Sequence, residues 1–178
     1  RVYQRRSDGA TRLCFISHFK VLRSRDGKTL DNLDGPIIMP QGDYEAYGIE
    51  DARITQIGNT YYISYVAVSG HGVATCLMST TDFVQFQRHG IIFPPDNKDV
   101  ILFPEKIMDN YVAMHRPMPA LKLSLPQIWL ARSNDLIHWG LHEQILGGGS
   151  GAFRDRIGGG TPPVKTDRGW LTLYHGSD

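Results

Sequence analysis

Cysteine is nearly missing from this sequence. Only Cys14 and Cys76 occur in 178 residues, each inside a short apolar run (RLCFISHF and VATCLMST) where a buried free thiol is expected. Neither stands in a CxxC or other metal-ligand spacing, and no N-x-[ST] sequon is present. That usage fits a reduced cytoplasmic setting, with the periplasm as the alternative. Long apolar runs are missing as well: none approaches the roughly 20 residues of a membrane helix. The opening RVYQRRSDGA contains no apolar core of a signal peptide. An excess of one charge is also lacking. With 19 Lys+Arg against 18 Asp+Glu the net charge is +1, which gives no electrostatic reason to expect nucleic acid or an anionic membrane as a partner. The histidines at 18, 71, 89, 115, 138, 142 and 175 fall in no HxH or HExxH spacing, so no metal is implied. Finally, no apolar pattern keeps a 3.6-residue period beyond two turns, so helix should be scarce.

What the sequence does contain is short apolar runs rich in β-branched and aromatic residues: ARITQI, TYYISYVAV, GVATCLMST, YVAMHRP, QIWLARS and GWLTLYHG. Clusters of Gly, Pro, Asn and Asp separate them, which indicates an all-β fold. A repeat lies within the pattern. Ser24-Arg25-Asp26, Thr80-Thr81-Asp82-Phe83 and Ser133-Asn134-Asp135-Leu136 share a hydroxyl residue two positions before Asp. In such a turn the Asp side chain accepts from backbone N–H groups while an apolar residue folds back on the core. One turn of this kind every fifty or so residues, between outer strands of a four-stranded sheet, is the signature of a propeller blade. The length accounts for about three blades, whereas propellers close with roughly 4–8. Residues 1–178 are therefore expected to form one partial β-propeller domain of a longer chain, lacking at least one flanking blade.

Five segments carry candidate chemistry. EAYGIEDAR packs Glu45, Glu50, Asp51 and Arg53 ahead of a strand expected near the propeller axis; read alone, it also fits a surface ion-pair turn. PPDNKDVILFPEKI supplies Asn97, Lys98, Asp99 and Glu105, and MHRPMP supplies His115 and Arg116. GGGTPPVKT supplies Lys165, and LYHGSD supplies Tyr174, His175 and Asp178. Each of these four is also the turn chemistry that any β protein needs. On successive blades, however, Lys98, Arg116 and Lys165 would converge on one funnel. Three converging cations call for an anion between them, and phosphate suits the Arg fork and the compact Lys charge.

In GIEDAR, NKDVILFPEKI-x3-Y-x3-HRP and GGGTPP-x5-GWL-x2-YHG the chain resembles glycoside hydrolase family 130, over roughly residues 10 to 178. The resemblance implies a five-bladed propeller and an inverting phosphorylase of β-mannosides, such as β-1,4-mannosyl-glucose or mannosyl-N-acetylglucosamine. It implies inorganic phosphate as co-substrate and no further cofactor. Asp51 matches the family's catalytic acid, which protonates the glycosidic oxygen by relay through a sugar hydroxyl. Lys98, Arg116 and Lys165 match its phosphate-holding cations. Glu50, Arg53, Asn97, Asp99, His115 and Tyr174 are candidates for orienting the acid or the sugar, with a structural role as the alternative for each. The family more often has Pro where Ala52 stands. Homo-oligomers are common in it.

The residues argue in the same direction. Inverting hydrolysis needs two carboxyl groups flanking a water, whereas phosphate is already nucleophilic and needs cations to hold it in line. One acid with three basic positions fits phosphorolysis better. The alternatives are a β-1,2-mannosidase using Glu105 or another carboxylate as base, and a non-catalytic propeller stacking sugar on Tyr47, Trp129 and Trp139. Asp51→Asn is expected to leave folding intact and to cut turnover by several orders of magnitude. Near-normal turnover of that variant would remove Asp51 from the role.

Overall fold

The computed structural model describes residues 2–9, 11–13, 16–31, 33–121, 123–147 and 155–177; Cys14 and Asp178 lie outside them. The fold is all-β, and among the described residues the only helical segment is a 3-10 turn at Asp43–Glu45. Strands β1 (Val2–Gln4) and β2 (Thr11–Leu13) pair, as do β3 (Phe19–Lys20) and β4 (Ile37–Ile38). A four-stranded antiparallel sheet follows, in the order β5 (Gly48–Ile57), β6 (Thr60–Ser69), β7 (Gly72–Thr80) and β8 (Gln87–Phe93). A second repeats the order with β9 (Asn97–Leu102), β10 (Tyr111–Pro117), β11 (Ile128–Ser133) and β12 (Gly140–Leu146). Last come β13 (Arg156–Gly159), the hairpin of β14 (Val164–Thr166) and β15 (Gly169–Leu171), and β16 (Tyr174–Ser177), which pairs with β13.

The repeated turns sit where the spacing predicts, between β7 and β8 and between β11 and β12. Thr80 Oγ1 accepts from Phe83 N at 2.9 Å, and Asp82 Oδ1 accepts from Val84 N and Gln85 N at 2.8 and 2.9 Å. Ser133 and Asp135 make the same bonds to Leu136, Ile137 and His138. Asp26 repeats them once more, accepting from Lys28 N and Thr29 N between β3 and β4. The N–H groups that a tight turn leaves over are thus satisfied without a second strand. In all three turns these hydrogen bonds hold the aspartate below its ordinary pKa of 3.8. Leu136 is folded inward and buried, and Trp139 Nε1 donates to its carbonyl at 2.9 Å.

Strands β6, β7, β9 and β10 are largely buried on both faces because they are covered on either side, whereas β5 is only partly buried. Val100 and Leu102 of β9 pack with Leu77, Phe93 and Ala131 between the two four-stranded sheets. Ile101, between them in sequence, points the other way and packs with Val112, Ile128 and Ile157 of β13. A third cluster, with Ile49, Ile63, Tyr65 and Cys76, joins the first sheet to β4. Cys76 is a free buried thiol, which burial pushes up to about 12.

Buried hydroxyls stitch the first sheet to the backbone of β9. Ser64 Oγ donates to Val100 O at 2.6 Å, Thr75 Oγ1 to Asn97 O at 3.1 Å and Thr55 Oγ1 to Leu102 O at 3.4 Å. Polar residues in the middle of apolar strands thereby satisfy carbonyls that cross-strand pairing leaves out. Ser64→Ala is expected to lower stability by about 1–3 kcal/mol, because it leaves the Val100 carbonyl buried without that donor. Denaturant titration checks this, and a loss within error would show the bond to be dispensable.

Candidate active site

GIEDAR and NKD were expected to precede their strands, but both lie within them, and a bulge is the reason. Glu50 pairs with Val66 and Arg53 with Ser64, so Asp51 and Ala52 together face the single residue Tyr65. Lys98 pairs with Arg116 and Ile101 with Met114, so Asp99 and Val100 face His115 alone. In both strands the aspartate is the residue thrown into the left-handed region, with φ 53°. A bulge inserts one residue and re-aims its side chain without ending the strand. The innermost strands of the two four-stranded sheets thus carry an aspartate at the same structural position.

The two carboxylates differ in environment. Asp51 remains 44% exposed, and its Oδ2 lies 3.6 Å from Lys98 Nζ of the neighbouring sheet. Asp99 is 5% exposed and enclosed by two guanidinium groups and an imidazole: Arg116 Nη1 at 2.8 Å, His175 Nε2 at 3.3 Å and Arg53 Nη2 at 3.6 Å. Among the described residues neither Asp99 Oδ2 nor Arg116 Nε has an aligned hydrogen-bond partner. Arg53 Nη1 also donates to the carbonyls of Gly159 (3.1 Å) and Gly160. Gly158 packs against this pair: a Cβ there would stand 2.0 Å from Asp99 Oδ2 and 2.9 Å from Arg116 Nη1, so any side chain would displace them.

The structure therefore brings Asp51, Arg53, Lys98, Asp99 and Arg116 together. Arg116 is held below the ordinary arginine pKa, chiefly by burial; Asp99 and Asp51 oppose the fall, and Arg156 and Arg53 add to it. Tyr174 follows from the backbone: it pairs with Gly159, one step from His175, and is exposed. Asn97 and His115 lie in β9 and β10 and are buried, with Asn97 Nδ2 3.0 Å from His115 Nδ1. His115 also stacks on Phe93 at 4.6 Å and reaches His142 with its Nε2 at 3.1 Å. Burial first, and the His142 charge second, push its imidazole down to about 4.

Other candidates stand apart from this centre. Glu50 accepts from Ser17 Oγ at 3.0 Å. Lys165, expected to converge with Lys98 and Arg116, instead bonds Glu105 on the exposed β14–β15 hairpin and lies 5.9 Å from the Trp170 ring. Glu45 is a buried structural group: Arg88 and the Tyr65 hydroxyl bind it at 2.6 Å, tying the 3-10 turn to the first sheet. His175 of LYHGSD also reaches the centre, a contact set by the pairing of β16 with β13 that nothing local in the sequence marks.

The inner strands of two antiparallel four-stranded sheets thus meet at an exposed aspartate beside a lysine. A glycosyl hydrolase from Bacteroides ovatus has this fold, with a TM-score of 0.73 at 19% identity over 87% of this chain and 50% of that one. The chain belongs to glycoside hydrolase family 130: the family model described as beta-1,4-mannooligosaccharide phosphorylase matches residues 7–178. It is 45% identical over 172 residues to a beta-1,2-mannobiose phosphorylase of Listeria innocua, covering 96% of this chain and 48% of that protein. The solved structure of that protein with beta-1,2-mannobiose gives a TM-score of 0.85 over 90% of this chain and 46% of that one. A 1,2-beta-oligomannan phosphorylase of Thermoanaerobacter is 34% identical over 168 residues, 92% of this chain and 54% of its own length. The chain thus spans about half the length of the curated relatives it matches.

The lowered His115 makes stability depend on pH. Its folded value of about 4 lies below the ordinary 6.5, so between these values the unfolded chain binds more protons. The full contribution, on the order of 3 kcal/mol, is present above pH 6.5 and is lost as pH falls towards 4. Denaturant titrations from pH 7 to 4.5 are expected to show a steep decline that His115→Gln flattens. Equal slopes in the two proteins would remove His115 as its cause.

Proposed function

We propose that the protein is an inverting β-mannoside phosphorylase built as a five-bladed β-propeller, of which residues 1–178 form a partial domain of about three blades. The observation that carries the reaction type is the unequal use of carboxylates. Asp51 is half exposed and opposite Lys98 alone, whereas the half-exposed Glu105 is bound by Lys165, Asp99 is buried and Glu50 accepts from Ser17. Inverting hydrolysis requires a second carboxylate free to activate water. Phosphorolysis requires one acid and cations to hold the phosphate, and Lys98 beside Asp51 with Arg116 paired across from Lys98 supports that reading.

In this reading Asp51 gives its proton to the departing glycosidic oxygen, through a sugar hydroxyl. Phosphate attacks the anomeric carbon from the opposite face; its C–O bond forms as the glycosidic bond breaks. The products are α-mannose 1-phosphate and a sugar with a free hydroxyl. Lys98 and Arg116 hold the phosphate, and Lys165, which bonds Glu105 from the β14–β15 hairpin, is the third cation of this reading. Arg53, Asn97, His115 and Tyr174 shape the surroundings of acid and sugar. Because relatives at 45% and 34% identity are named for β-1,2-mannobiose and 1,2-β-oligomannan, β-1,2-mannosides replace β-1,4-mannosyl-glucose and mannosyl-N-acetylglucosamine as the first substrates to try.

The full-length protein incubated with β-1,2-mannobiose and with β-1,4-mannosides should release mannose 1-phosphate only when inorganic phosphate is present, and fastest from the β-1,2 substrate. Free mannose at the same rate without phosphate would make it a hydrolase and overturn the reading.

A further inference from the structure

The repeat of one bulge in consecutive inner strands raises a question that the proposed reaction leaves open. Asp51 and Asp99 occupy equivalent positions with the same φ of 53°, yet only Asp51 faces solvent. Asp99 cannot reach a sugar or a phosphate. It is 5% exposed, and its carboxylate is covered by Arg116 from the next strand of its own sheet, Arg53 from the preceding sheet, and His175 and Gly158 from the last. Buried charges are retained only where partners surround them, and here the partners come from three separate sheets.

Geometry also limits how those partners move. Arg53 is held from behind by the Gly159 and Gly160 carbonyls. Gly158 leaves no room beside Asp99 Oδ2, so carboxylate and Arg116 fork are wedged against backbone. Arg116 Nη1 is taken up by Asp99, so the direction of the rest of the guanidinium is set by where that carboxylate stands. The ring of His175 is turned in the same way, with Nε2 towards Asp99.

We infer that Asp99 is a positioning residue for phosphate: its buried carboxylate, re-aimed by the bulge, wedged by Gly158 and enclosed by Arg53 and His175 from the neighbouring sheets, aligns Arg116 for an anion that it never touches. The inference rests on the proposed phosphorolysis, and it assigns to Asp99 neither proton transfer nor sugar contact.

Two variants of the full-length enzyme test it from opposite directions. Asp99→Asn keeps the volume and removes the charge; Gly158→Ala keeps every charge and displaces the carboxylate and Arg116 Nη1. Both are expected to raise KM for phosphate by about ten- to a hundred-fold while changing KM for the mannoside little, since small misalignments of a bound group cost rates of that order. Calorimetric titration with inorganic phosphate alone should show the same weakening, and circular dichroism should show the fold retained. If Asp99→Asn does not fold, Gly158→Ala decides the matter. A lower melting temperature with phosphate affinity unchanged, in either variant that folds, would make Asp99 purely structural and overturn the inference. Wild-type enzyme that neither binds phosphate nor needs it would overturn the proposed reaction instead, and the wild-type control separates the two failures.

Discussion

The constraint on which the site depends is the burial of one negative charge where three sheets meet. Taking a carboxylate out of water costs several kcal/mol unless cations and donors surround it. Arg53, Arg116 and His175 meet that demand only if the inner strands of their sheets stand side by side. The ion cluster therefore acts as a register mark between sheets, which apolar packing alone, being non-directional, does not supply. Apolar clusters on either side of β9 provide the bulk of the attraction, and the Ser64, Thr55 and Thr75 hydroxyls add direction to it.

A second consequence concerns the acid. Regular pleating sends successive side chains to opposite faces and into neighbouring sheets, where a carboxylate at the position of Asp51 would be buried. One extra residue in β5 breaks that alternation and leaves Asp51 half exposed beside Lys98. The same device in β9 turns Asp99 inward, because there a further sheet with a glycine at the contact stands in its way. Identical local geometry thus gives an accessible carboxylate in one strand and a buried one in the next, and the neighbouring sheet makes the difference.

Much of this was legible in the residues. The all-β class, the near-absence of helix, and the Asp turns at 26, 82 and 135 follow from local rules: period-two patterning, turn residues, and side chains that satisfy nearby N–H groups. Asp51, Lys98 and Arg116 were recognisable as a group from the motifs that hold them. The surroundings of Lys165 were not legible, because a basic residue beside a Gly/Pro run looks the same whether it faces a funnel or, as here, the neighbouring Glu105.

The sequence by itself determined which strands form and where the turns fall, since those depend on interactions within a few residues. Tertiary structure alone decided which aspartate is exposed, that Glu45 is a buried strut bound to Arg88 and Tyr65, and that Lys165 bonds Glu105. The physical reason is that the state of a charge depends on its distance to partners far away in sequence and on how much water remains around it. Both quantities come into existence only when the sheets pack.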